Sequence, residues 1–528
     1  MLSDTTNLGE IFHSSLIKNP HKIALIDGES GVKISFQDLE NNIAKIRSIL
    51  DSMGISKGDR IALFFPNQLE FIYTLFGSMR VGAVPVLINI ELPLETCSYI
   101  VQDSGASLII SSSKSDTLQK AIHAARSSKI SRIIISGEKK DRFPTDSSGL
   151  SFHDLTHLMN NTSPKSGSIQ VSPTDAAFQP YTSGSTGNPK GVVLTHGGSI
   201  WNASTICKFH RLQESDRAIV AAPMYHSNAL NGAIQPMLLV GGSTVILRSF
   251  DSQKMIKSID QFKVTYLRGV PAMFKLLVDD VDSLSKHDVS SIEWAVSGSS
   301  SLPESLITSF ERIFNPSMGM AYGLTEGGPI VTLSPRDGVR KIGSSGVPLP
   351  GVVTHIINPA TNEKLLPGAI GELIISSPGM GTYHNLPDIE KLAFEMIGTS
   401  RFLHTGDLAY IDDQGFHYIV GRIDDMMNVG GENVYPAEVE SLLSSHPSVK
   451  DACVISLPHS IKGEAPVALV IADETTEEEI KQFALKNGPA YAHPRRVLFV
   501  SKLPLSGTGK IDRIAAKNMA LQHSPDPL

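Results

Sequence analysis

Cysteine is scarce in this sequence, with three in 528 residues: Cys97, Cys207 and Cys453. They lie far apart and form neither a CxxC pair nor a Cys/His spacing typical of metal ligands. A disulfide scaffold, a structural zinc site and a redox motif are therefore not expected. The pattern predicts buried thiols in a reducing compartment, and hence a cytoplasmic protein.

Long apolar runs and an excess of basic residues are also lacking. Apolar stretches such as AIVAAPM are far shorter than the ~20 residues of a transmembrane helix. The N-terminal MLSDTTNLGEIFHSS has no basic patch followed by an apolar run, so no signal peptide is predicted. A net charge of −7 offers no basic surface for nucleic acid or an anionic membrane.

Short apolar runs that alternate with amphipathic helical periods are abundant. In ISFQDLENNIAKIRSILDSMG the apolar residues fall on one helical stripe, and Ser35 and Asp38 have the spacing of a capping box. Runs such as DRIALFF, AVPVLI, RAIVAAP and IEWAVSG are typical of buried strands. This repeated strand–helix–strand order predicts an α/β fold of mainly parallel sheets covered by helices on both faces.

The length and a change of pattern predict more than one domain. A chain of 528 residues exceeds what one hydrophobic core usually accommodates. Residues 136–174 are polar and rich in Ser, Pro and Gly, and we interpret them as a connection. After GFHYIVGRIDD the elements read helix, strand, strand, helix, strand. We therefore predict a large N-terminal domain of residues 1–423 and a small α+β domain of residues 424–528.

The stretch YTSGSTGNPKG, residues 181–191, has the composition of a phosphate-binding loop. It fails the Walker A pattern because the sixth position from Gly184 is Pro189, and Lys190 is followed by glycine instead of a hydroxyl residue. Gly184 and Gly187 let backbone N–H groups turn toward an anion, and Lys190 adds a positive charge. The loop is predicted to bind phosphate without being the loop of a P-loop ATPase.

Further motifs follow this loop in a fixed order. They are AAPMYHSNALNG (221–232), AVSGSSSLP (295–303), MAYGLTEGGP (320–329), FLHTGDLAYIDDQGFHYIVGRIDDMMNVGGENVYPAEVE (402–440) and LPLSGTGKIDR (503–513). Together with the loop they resemble the adenylate-forming superfamily of acyl- and aryl-CoA synthetases, carrier-protein adenylation domains and beetle luciferases. The resemblance runs from about Phe36 to Arg513. It implies an ATP-dependent acid–CoA ligase that uses ATP, Mg²⁺ and CoA and releases pyrophosphate, then AMP.

The resemblance implies a nucleotide site. Tyr322 would face adenine, Thr325 the α-phosphate and Asp407 the ribose hydroxyls. Arg422 would donate to ribose or phosphate, and Glu326 would be the carboxylate ligand of Mg²⁺. The ATP- and AMP-binding residues implied in this way are Thr182, Ser183, Gly184, Ser185, Thr186, Gly187, Lys190, Ser299, Tyr322, Gly323, Thr325, Asp407 and Arg422.

The C-terminal motif resembles the one that carries the catalytic lysine of the superfamily. Lys510 would bridge the acid's carboxylate and the α-phosphate during adenylation. The resemblance implies that the small domain is a mobile lid with Asp424 as its hinge, and that Gly430 and Gly431 line a CoA tunnel. PLSGTGK is also similar to a pattern acylated in related ligases, which makes a protein acetyltransferase acting on Lys510 a predicted partner. The implied catalytic residues are Lys510, Glu326, Thr325 and His226.

An acyl pocket with His226 as its gate is implied as well. The residues predicted to line it are small and uncharged, which favours a neutral aliphatic or aryl acid over a dicarboxylate or an amino acid. They are Asn228, Ala229, Ser297, Gly298, Ala321, Gly323, Gly328 and Pro329.

The sequence leaves three other functions open. The chain could load an acyl carrier protein instead of free CoA, act as a luciferase-like oxygenase, or bind nucleotide as a regulator without chemistry. The motif MYHSNALNG is more similar to the ligases than to amino-acid-activating domains. A pure binder would need neither Glu326 nor Lys510, so a ligase is favoured. We expect it to be a monomer or a homodimer.

Overall fold

The structure is a computed structural model that describes residues 5–137, 149–182, 188–298, 302–504 and 511–523. Its strands, in chain order, are β1 (Ile23–Asp27), β2 (Lys33–Ser35), β3 (Arg60–Phe64), β4 (Val84–Leu87), β5 (Leu108–Ser112), β6 (Arg132–Ser136), β7 (Ser151–Asp154), β8 (Ala176–Thr182), β9 (Lys190–Thr195), β10 (Arg217–Val220), β11 (Ser243–Ile246), β12 (Tyr266–Gly269), β13 (Trp294–Gly298), β14 (Met318–Tyr322), β15 (Thr332–Leu333), β16 (Val347–Pro348), β17 (Val353–Ile357), β18 (Gly371–Ser376), β19 (Thr382–Tyr383), β20 (Phe394–Ile397), β21 (Ser400–Ile411), β22 (His417–Arg422), β23 (Met427–Val429), β24 (Glu432–Val434), β25 (Val449–His459), β26 (Gly463–Ala472) and β27 (Arg496–Phe499).

Helices connect and cover these strands. They are α1 (His13–Lys18), α2 (Phe36–Ser52), α3 (Leu69–Arg80), α4 (Leu94–Ser104), α5 (Ser115–Ser128), α6 (Leu155–Asn161), α7 (His196–Phe209), α8 (Ser227–Ala229), α9 (Gln235–Val240), α10 (Ser252–Phe262), α11 (Pro271–Asp279), α12 (Val281–Leu284), α13 (Glu304–Phe314), α14 (Pro387–Ala393), α15 (Pro436–Ser444), α16 (Glu477–Asn487) and α17 (Arg513–His523). A π-helical turn, Leu230–Ile234, joins α8 to α9, and 3-10 turns occur at Leu8–Glu10 and Thr325–Gly327.

The start of α2 shows how the local sequence determines a helix boundary. The Asp38 backbone N–H donates to Ser35 Oγ at 3.1 Å, and the Ser35 backbone N–H donates to Asp38 Oδ2 at 3.2 Å. This reciprocal pair satisfies two of the unpaired donors at the helix end. The predicted capping box is confirmed, and the apolar stripe of α2, including Leu39 and Ile43, is buried.

Two large sheets form the N-terminal part of the chain. The first has the strand order β16-β15-β14-β13-β12-β10-β11-β1-β2, and its strands from β14 to β1 are parallel. The second has the order β19-β9-β8-β4-β3-β5-β6-β7, and it is parallel from β8 to β7. One hydrophobic cluster contains residues of both, such as Leu25 of β1 and Phe178 of β8. The predicted parallel-rich α/β architecture is confirmed.

Two smaller, mainly antiparallel sheets complete the fold. The third sheet has the order β17-β18-β21-β20, with β22 paired to β21. The fourth has the order β24-β23-β26-β25, with β27 parallel to β26 and with α15 and α16 packed beside it. This α+β unit begins at Met427, close to the predicted boundary at Asp424.

The interpretation of residues 136–174 as a plain connection was incomplete. β7 pairs in parallel with β6 at the edge of the second sheet, and α6 follows with Asp154 as its N-cap. Both elements are short: β7 has four residues and α6 seven. The apolar residues of α6, Leu155, Leu158 and Met159, pack on the core but span little more than one turn, which is too short for a periodic pattern to stand out.

The three cysteines are buried, as predicted. Burial raises the pKa of the Cys97 thiol to about 11, so it stays protonated at neutral pH. No helix in the described ranges combines the length and the apolar character of a membrane span.

Candidate active site

The predicted site segments lie where parallel strands end. β8 ends at Thr182, β13 at Gly298 and β14 at Tyr322. In open α/β sheets, ligands bind outside the carboxyl ends of parallel strands. A hydrogen bond from Thr182, at the end of β8 in the second sheet, to Glu326, just beyond the end of β14 in the first sheet, connects the carboxyl ends of these two strands. The sequence-predicted residues on both sheets therefore face one region.

Glu326 is at the centre of this region and follows Thr325 at the start of a 3-10 turn. Thr182 Oγ1 donates to its Oε1 at 3.1 Å, and the Tyr383 hydroxyl donates to the same oxygen at 3.2 Å. Among the described residues no donor is bonded to Oε2. The carboxylate is thus oriented through one oxygen, and none of the described residues uses the lone pairs of the other.

Tyr383 is a site residue that the sequence reasoning missed. It lies on β19, which pairs with β9 beside the phosphate loop, and Lys190 Nζ lies 5.9 Å from the centre of its ring. Burial, and then the Glu326 carboxylate, raise the pKa of the Tyr383 hydroxyl above its ordinary value. The hydroxyl therefore remains a hydrogen-bond donor to Glu326 at physiological pH.

Asp407 forms the second cluster of the site. The Tyr322 hydroxyl donates to Asp407 Oδ2 at 2.6 Å, and Arg422 Nη1 donates to Oδ1 at 3.0 Å. Burial and the neighbouring carboxylate raise the pKa of Tyr322, so this hydroxyl also stays protonated. The two bonds orient the carboxylate and hold the tyrosine ring in place at the end of β14.

A steric requirement explains why glycine precedes Asp407. Gly406 has a φ of +68°, and a Cβ at this position would lie 2.9 Å from Arg422 Nη2. Because only glycine adopts this conformation without strain and leaves this space, the guanidinium can approach the carboxylate. The TGD motif is therefore explained in part by the ion pair it accommodates.

The ends of β13 and β14 supply three residues of the predicted acyl pocket: Ser297, Gly298 and Ala321. The two strands are adjacent in register, with Gly298 opposite Ala321, and among the described residues a Cβ on Gly298 would meet Ala321 at an ordinary 3.6 Å. By contrast, a Cβ on Gly323 would lie 2.0 Å from the buried Pro329 carbonyl, and one on Gly328 would lie 2.6 Å from Gly379. Backbone packing thus accounts for these two glycines, whereas no described residue comes closer than ordinary contact distance to a Cβ on Gly298.

The helical side of the predicted pocket carries polar contacts. His226 caps α8, its Nδ1 accepting from the Asn228 N–H at 3.4 Å, and Ala229 is buried next to it. Asn228 Nδ2 donates to the Gly269 carbonyl at 3.1 Å, and its Oδ1 accepts from Arg268 Nε at 3.3 Å. Arg268, 4% exposed, is the second residue that sequence reasoning missed. On the opposite strand Ser297 is fully buried, and its hydroxyl has no hydrogen-bond partner in the described ranges.

The predicted CoA-tunnel and hinge residues lie in turns. Gly430 and Gly431 form the two-residue turn between β23 and β24, with φ of +65° and +97°. A hairpin turn with two positive φ values requires residues such as glycine, so this turn explains the pair without a ligand. Asp424 lies in the turn between β22 and β23, which connects the third and fourth sheets.

Some predicted residues lie outside the part of the chain that the structure describes. They are Ser183, Gly184, Ser185, Thr186, Gly187, Ser299 and Lys510. Within the described ranges, no group of three or more His, Cys, Asp or Glu residues could hold a metal ion by itself.

Comparison with protein families gives two matches along the chain. Residues 12–383 match the model of AMP-binding enzymes, and residues 438–510 match the model of the AMP-binding enzyme C-terminal domain. A feruloyl-CoA synthase from an Amycolatopsis species is 31% identical over 93% of this chain and 95% of its own length. The long-chain-fatty-acid–CoA ligase FadD13 of Mycobacterium tuberculosis is 31% identical over 96% of this chain and 97% of its own.

Solved structures show the same fold. The anthranilate CoA ligase AuaEII in complex with anthranoyl-AMP matches with a TM-score of 0.89 and 26% identity, covering 98% of both chains. The large sheets and the smaller C-terminal unit therefore correspond to the arrangement of an enzyme solved with an acyl-adenylate.

Proposed function

The chain belongs to the family of AMP-binding enzymes, and from this premise we propose that it is an ATP-dependent acid–CoA ligase acting on a neutral aliphatic or aryl carboxylic acid. The acid attacks the α-phosphorus of ATP, the bond to pyrophosphate breaks, and an acyl-adenylate forms. The CoA thiol then attacks the acyl carbon and AMP leaves. The observation that carries the proposal is Glu326, held by Thr182 of the phosphate loop at the carboxyl ends of two parallel sheets.

The described residues suit the charge problem of the first step. A carboxylate must approach an already anionic phosphate, so the site has to supply positive charge and fixed donors. Lys190 lies at the end of the phosphate loop, and we propose that it stabilises the departing pyrophosphate. Arg422 and Asp407 would hold the ribose, while the anchored Tyr322 ring would face adenine.

The donor set at Glu326 fits Mg²⁺. This ion prefers one or two carboxylates together with substrate phosphates, and Oε2 of Glu326 is a hard oxygen without a donor among the described residues. A bound Mg²⁺ would supply charge neutralisation on the phosphates. Thr182 and Tyr383 would keep the carboxylate oriented for it.

The acceptor of the acyl group and the location of the enzyme are further parts of the proposal. Free CoA is favoured over a carrier protein because relatives that match nearly the whole chain are named as CoA ligases. The buried, protonated thiols support a cytoplasmic location. Acetylation of Lys510 would remove the charge needed for adenylation.

A panel of carboxylic acids tests the function directly. We expect acid-dependent pyrophosphate release without CoA, and acyl-CoA with AMP when CoA is added. Replacing CoA by a carrier protein that bears a free thiol tests whether the carrier is the acceptor instead. ATP hydrolysis to ADP and phosphate, or nucleotide binding without turnover over the whole panel, would contradict a ligase.

Replacing Asp407 by asparagine is expected to raise the KM for ATP by about 10- to 100-fold, the usual worth of a hydrogen bond to a charged group. The kcat at saturating ATP should change much less, because the carboxylate is proposed to bind ribose and not the reacting phosphate. Initial-rate measurements over a range of ATP concentrations check this.

Asp412→Asn is the matched control for that variant. Asp412 follows the same strand and also contacts a tyrosine hydroxyl and a cation, Tyr418 and Lys341. It should leave the KM for ATP unchanged. An equal increase in both variants would indicate a general loss of stability.

Replacing Asp424 by proline is expected to separate the two half-reactions. Proline fixes φ at about −65°, so the turn between the third and fourth sheets should keep one orientation. We expect adenylation to continue and acyl-CoA formation to fall by at least about tenfold, because the second step requires a different domain orientation. Single-turnover assays of each step measure this, and equal retention of both rates would exclude a hinge at Asp424.

A further inference from the structure

Arg268 is a buried cation that has no acidic partner in the part of the chain that the structure describes. It lies on β12, is 4% exposed, and forms no ion pair with any described carboxylate. Isolated buried charges are costly, so they are normally paired or bound to a ligand. The proposed function does not explain how the charge of Arg268 is stabilised at this buried position.

The hydrogen bonds around Arg268 have a defined direction. His210 is fully buried, and burial together with the nearby Arg268 charge lowers its pKa to about 3, so its ring is neutral. Its Nε2 faces the Ser334 carbonyl at 3.2 Å and must donate, since a carbonyl oxygen only accepts. Nδ1 then accepts from the Tyr266 hydroxyl at 3.0 Å. The Tyr266 oxygen in turn accepts from Arg268 Nη1 at 3.2 Å.

This direction leaves donors on the guanidinium. An arginine carries five N–H groups, and the contacts to Tyr266 and Asn228 use one on Nη1 and the one on Nε. No acceptor among the described residues is bonded to the others. No nitrogen of Arg268 is among the described side-chain atoms that are fully buried without a partner, so Nη2 retains accessible surface. An oxygen from outside the chain can therefore reach this group and accept a charge-assisted hydrogen bond.

The position of Arg268 relative to the strand ends indicates which part of a substrate it would meet. In the sheet register it lies opposite Val296, two residues before Gly298 at the end of β13. At about 3.3 Å per residue, its backbone lies roughly 7 Å deeper in the sheet than Gly298, a residue of the predicted acyl pocket. Asn228, predicted to line the acyl pocket, lies against it.

The facing helical segment is shaped around the same group. Gly232 lies in the π-helical turn between α8 and α9, and a Cβ there would lie 2.6 Å from Arg268 Nε and 2.7 Å from its Cζ. A side chain at this position would displace the guanidinium. Glycine therefore keeps the guanidinium in place between the sheet and the helix.

We propose that Arg268 is a specificity-determining residue that donates to an oxygen at the end of the acid farthest from the reacting carboxylate. The proposal rests on the proposed function, because it takes Asn228 to border the acyl pocket. It names the substrate class more closely: acids with a distal hydroxyl or carbonyl oxygen. Hydrocarbon acids of the same size would leave the donors unsatisfied and be disfavoured.

Matched acids test this with the full-length enzyme. The probes are cinnamic acids with a para methyl, hydroxyl or carboxylate group, and straight-chain acids with the same three groups at the far end. We expect kcat/KM for the best oxygen-bearing acid to exceed that for its methyl analogue by about 10- to 100-fold. The hydroxyl and carboxylate probes distinguish a neutral oxygen from an ionised one.

Two variants assign the preference to Arg268. Arg268→Met should reduce kcat/KM for the oxygen-bearing acid by about 10- to 100-fold and leave the methyl analogue within about threefold. Gly232→Ala keeps the positive charge but displaces the guanidinium, so it should also reduce the preference for the oxygen-bearing acid over its methyl analogue. This variant provides the test if Arg268→Met does not fold. Arg217→Met on β10, a partly buried arginine bonded to Ser243, is the control and should leave the ratio unchanged.

The outcomes separate the two proposals. Equal loss for all acids in Arg268→Met, or a wild-type enzyme that prefers the methyl acids, overturns the role of Arg268 while the ligase function stands. A preference for the carboxylate probe supports Arg268 and removes the restriction to neutral acids. No AMP formation with any acid overturns both.

Discussion

Glu326→Gln is expected to lower the rate of acyl-adenylate formation by at least about 100-fold, or ~2.7 kcal/mol of barrier. The amide is nearly isosteric and can still accept from Thr182 and Tyr383 through its oxygen. It cannot, however, supply a negative oxygen ligand at the position of Oε2. The loss should therefore appear in the reaction and not in the fold.

The Mg²⁺ dependence provides the more specific measurement for this variant. Pyrophosphate release by Glu326→Gln should need a higher Mg²⁺ concentration than the wild-type enzyme, and excess Mg²⁺ should restore part of the rate. Glu363→Gln is a matched control, because Glu363 is exposed and also accepts from a threonine hydroxyl, that of Thr361. An unchanged Mg²⁺ requirement with a normal rate would show that Glu326 is not the metal ligand.

The secondary structure that could be predicted is the part determined by local pattern. The capping box at Ser35 and the apolar stripe of α2 lie within a few residues of each other, and both appear as predicted. β7 and α6 were missed because they have only four and seven residues, so the apolar pattern of α6 at Leu155, Leu158 and Met159 is too short to be distinguished from a polar connection. The helices and strands that could be predicted are those with a long apolar pattern produced by burial.

The missed site residues have a different physical cause. Tyr383 contacts Glu326 across 57 positions of sequence, and Arg268 contacts Asn228 across 40. Neither contact has a local signature, because it depends on which strands become neighbours. From the sequence alone, Arg268 in VTYLRGV stands out only as a charged residue in an otherwise mainly apolar strand.

Several glycines of the predicted site also have a steric role within the chain itself. The Gly430–Gly431 pair, predicted to line a CoA tunnel, forms a two-residue hairpin turn with two positive φ values, and its place in the tunnel stays a prediction. Gly323 and Gly328 allow close backbone packing. A glycine in a family motif therefore reports a steric requirement without indicating whether a ligand or the chain itself fills the space.

Lys510→Ala is expected to have the largest effect, lowering acyl-adenylate formation by about 1,000-fold or more, which corresponds to ~4 kcal/mol of barrier. The lysine resembles the one that bridges two anions in the adenylation step, so its loss leaves their repulsion uncompensated. Conversion of a supplied acyl-adenylate and CoA to acyl-CoA should continue near the wild-type rate, because no carboxylate approaches a phosphate in that step.

The structure near Lys510 makes this variant a clean test. Arg513, at the start of α17, donates to both carboxylate oxygens of Glu440 at 2.7 and 3.1 Å and pairs with Asp425 at 3.3 Å. The segment after the lysine is thus anchored by contacts that the substitution leaves intact. Lys517→Ala, at an exposed position on α17, removes a lysine nearby and should leave both half-reactions unchanged. An equal decrease of both half-reactions in Lys510→Ala would contradict a role confined to adenylation, since only the first step brings the carboxylate against the phosphate.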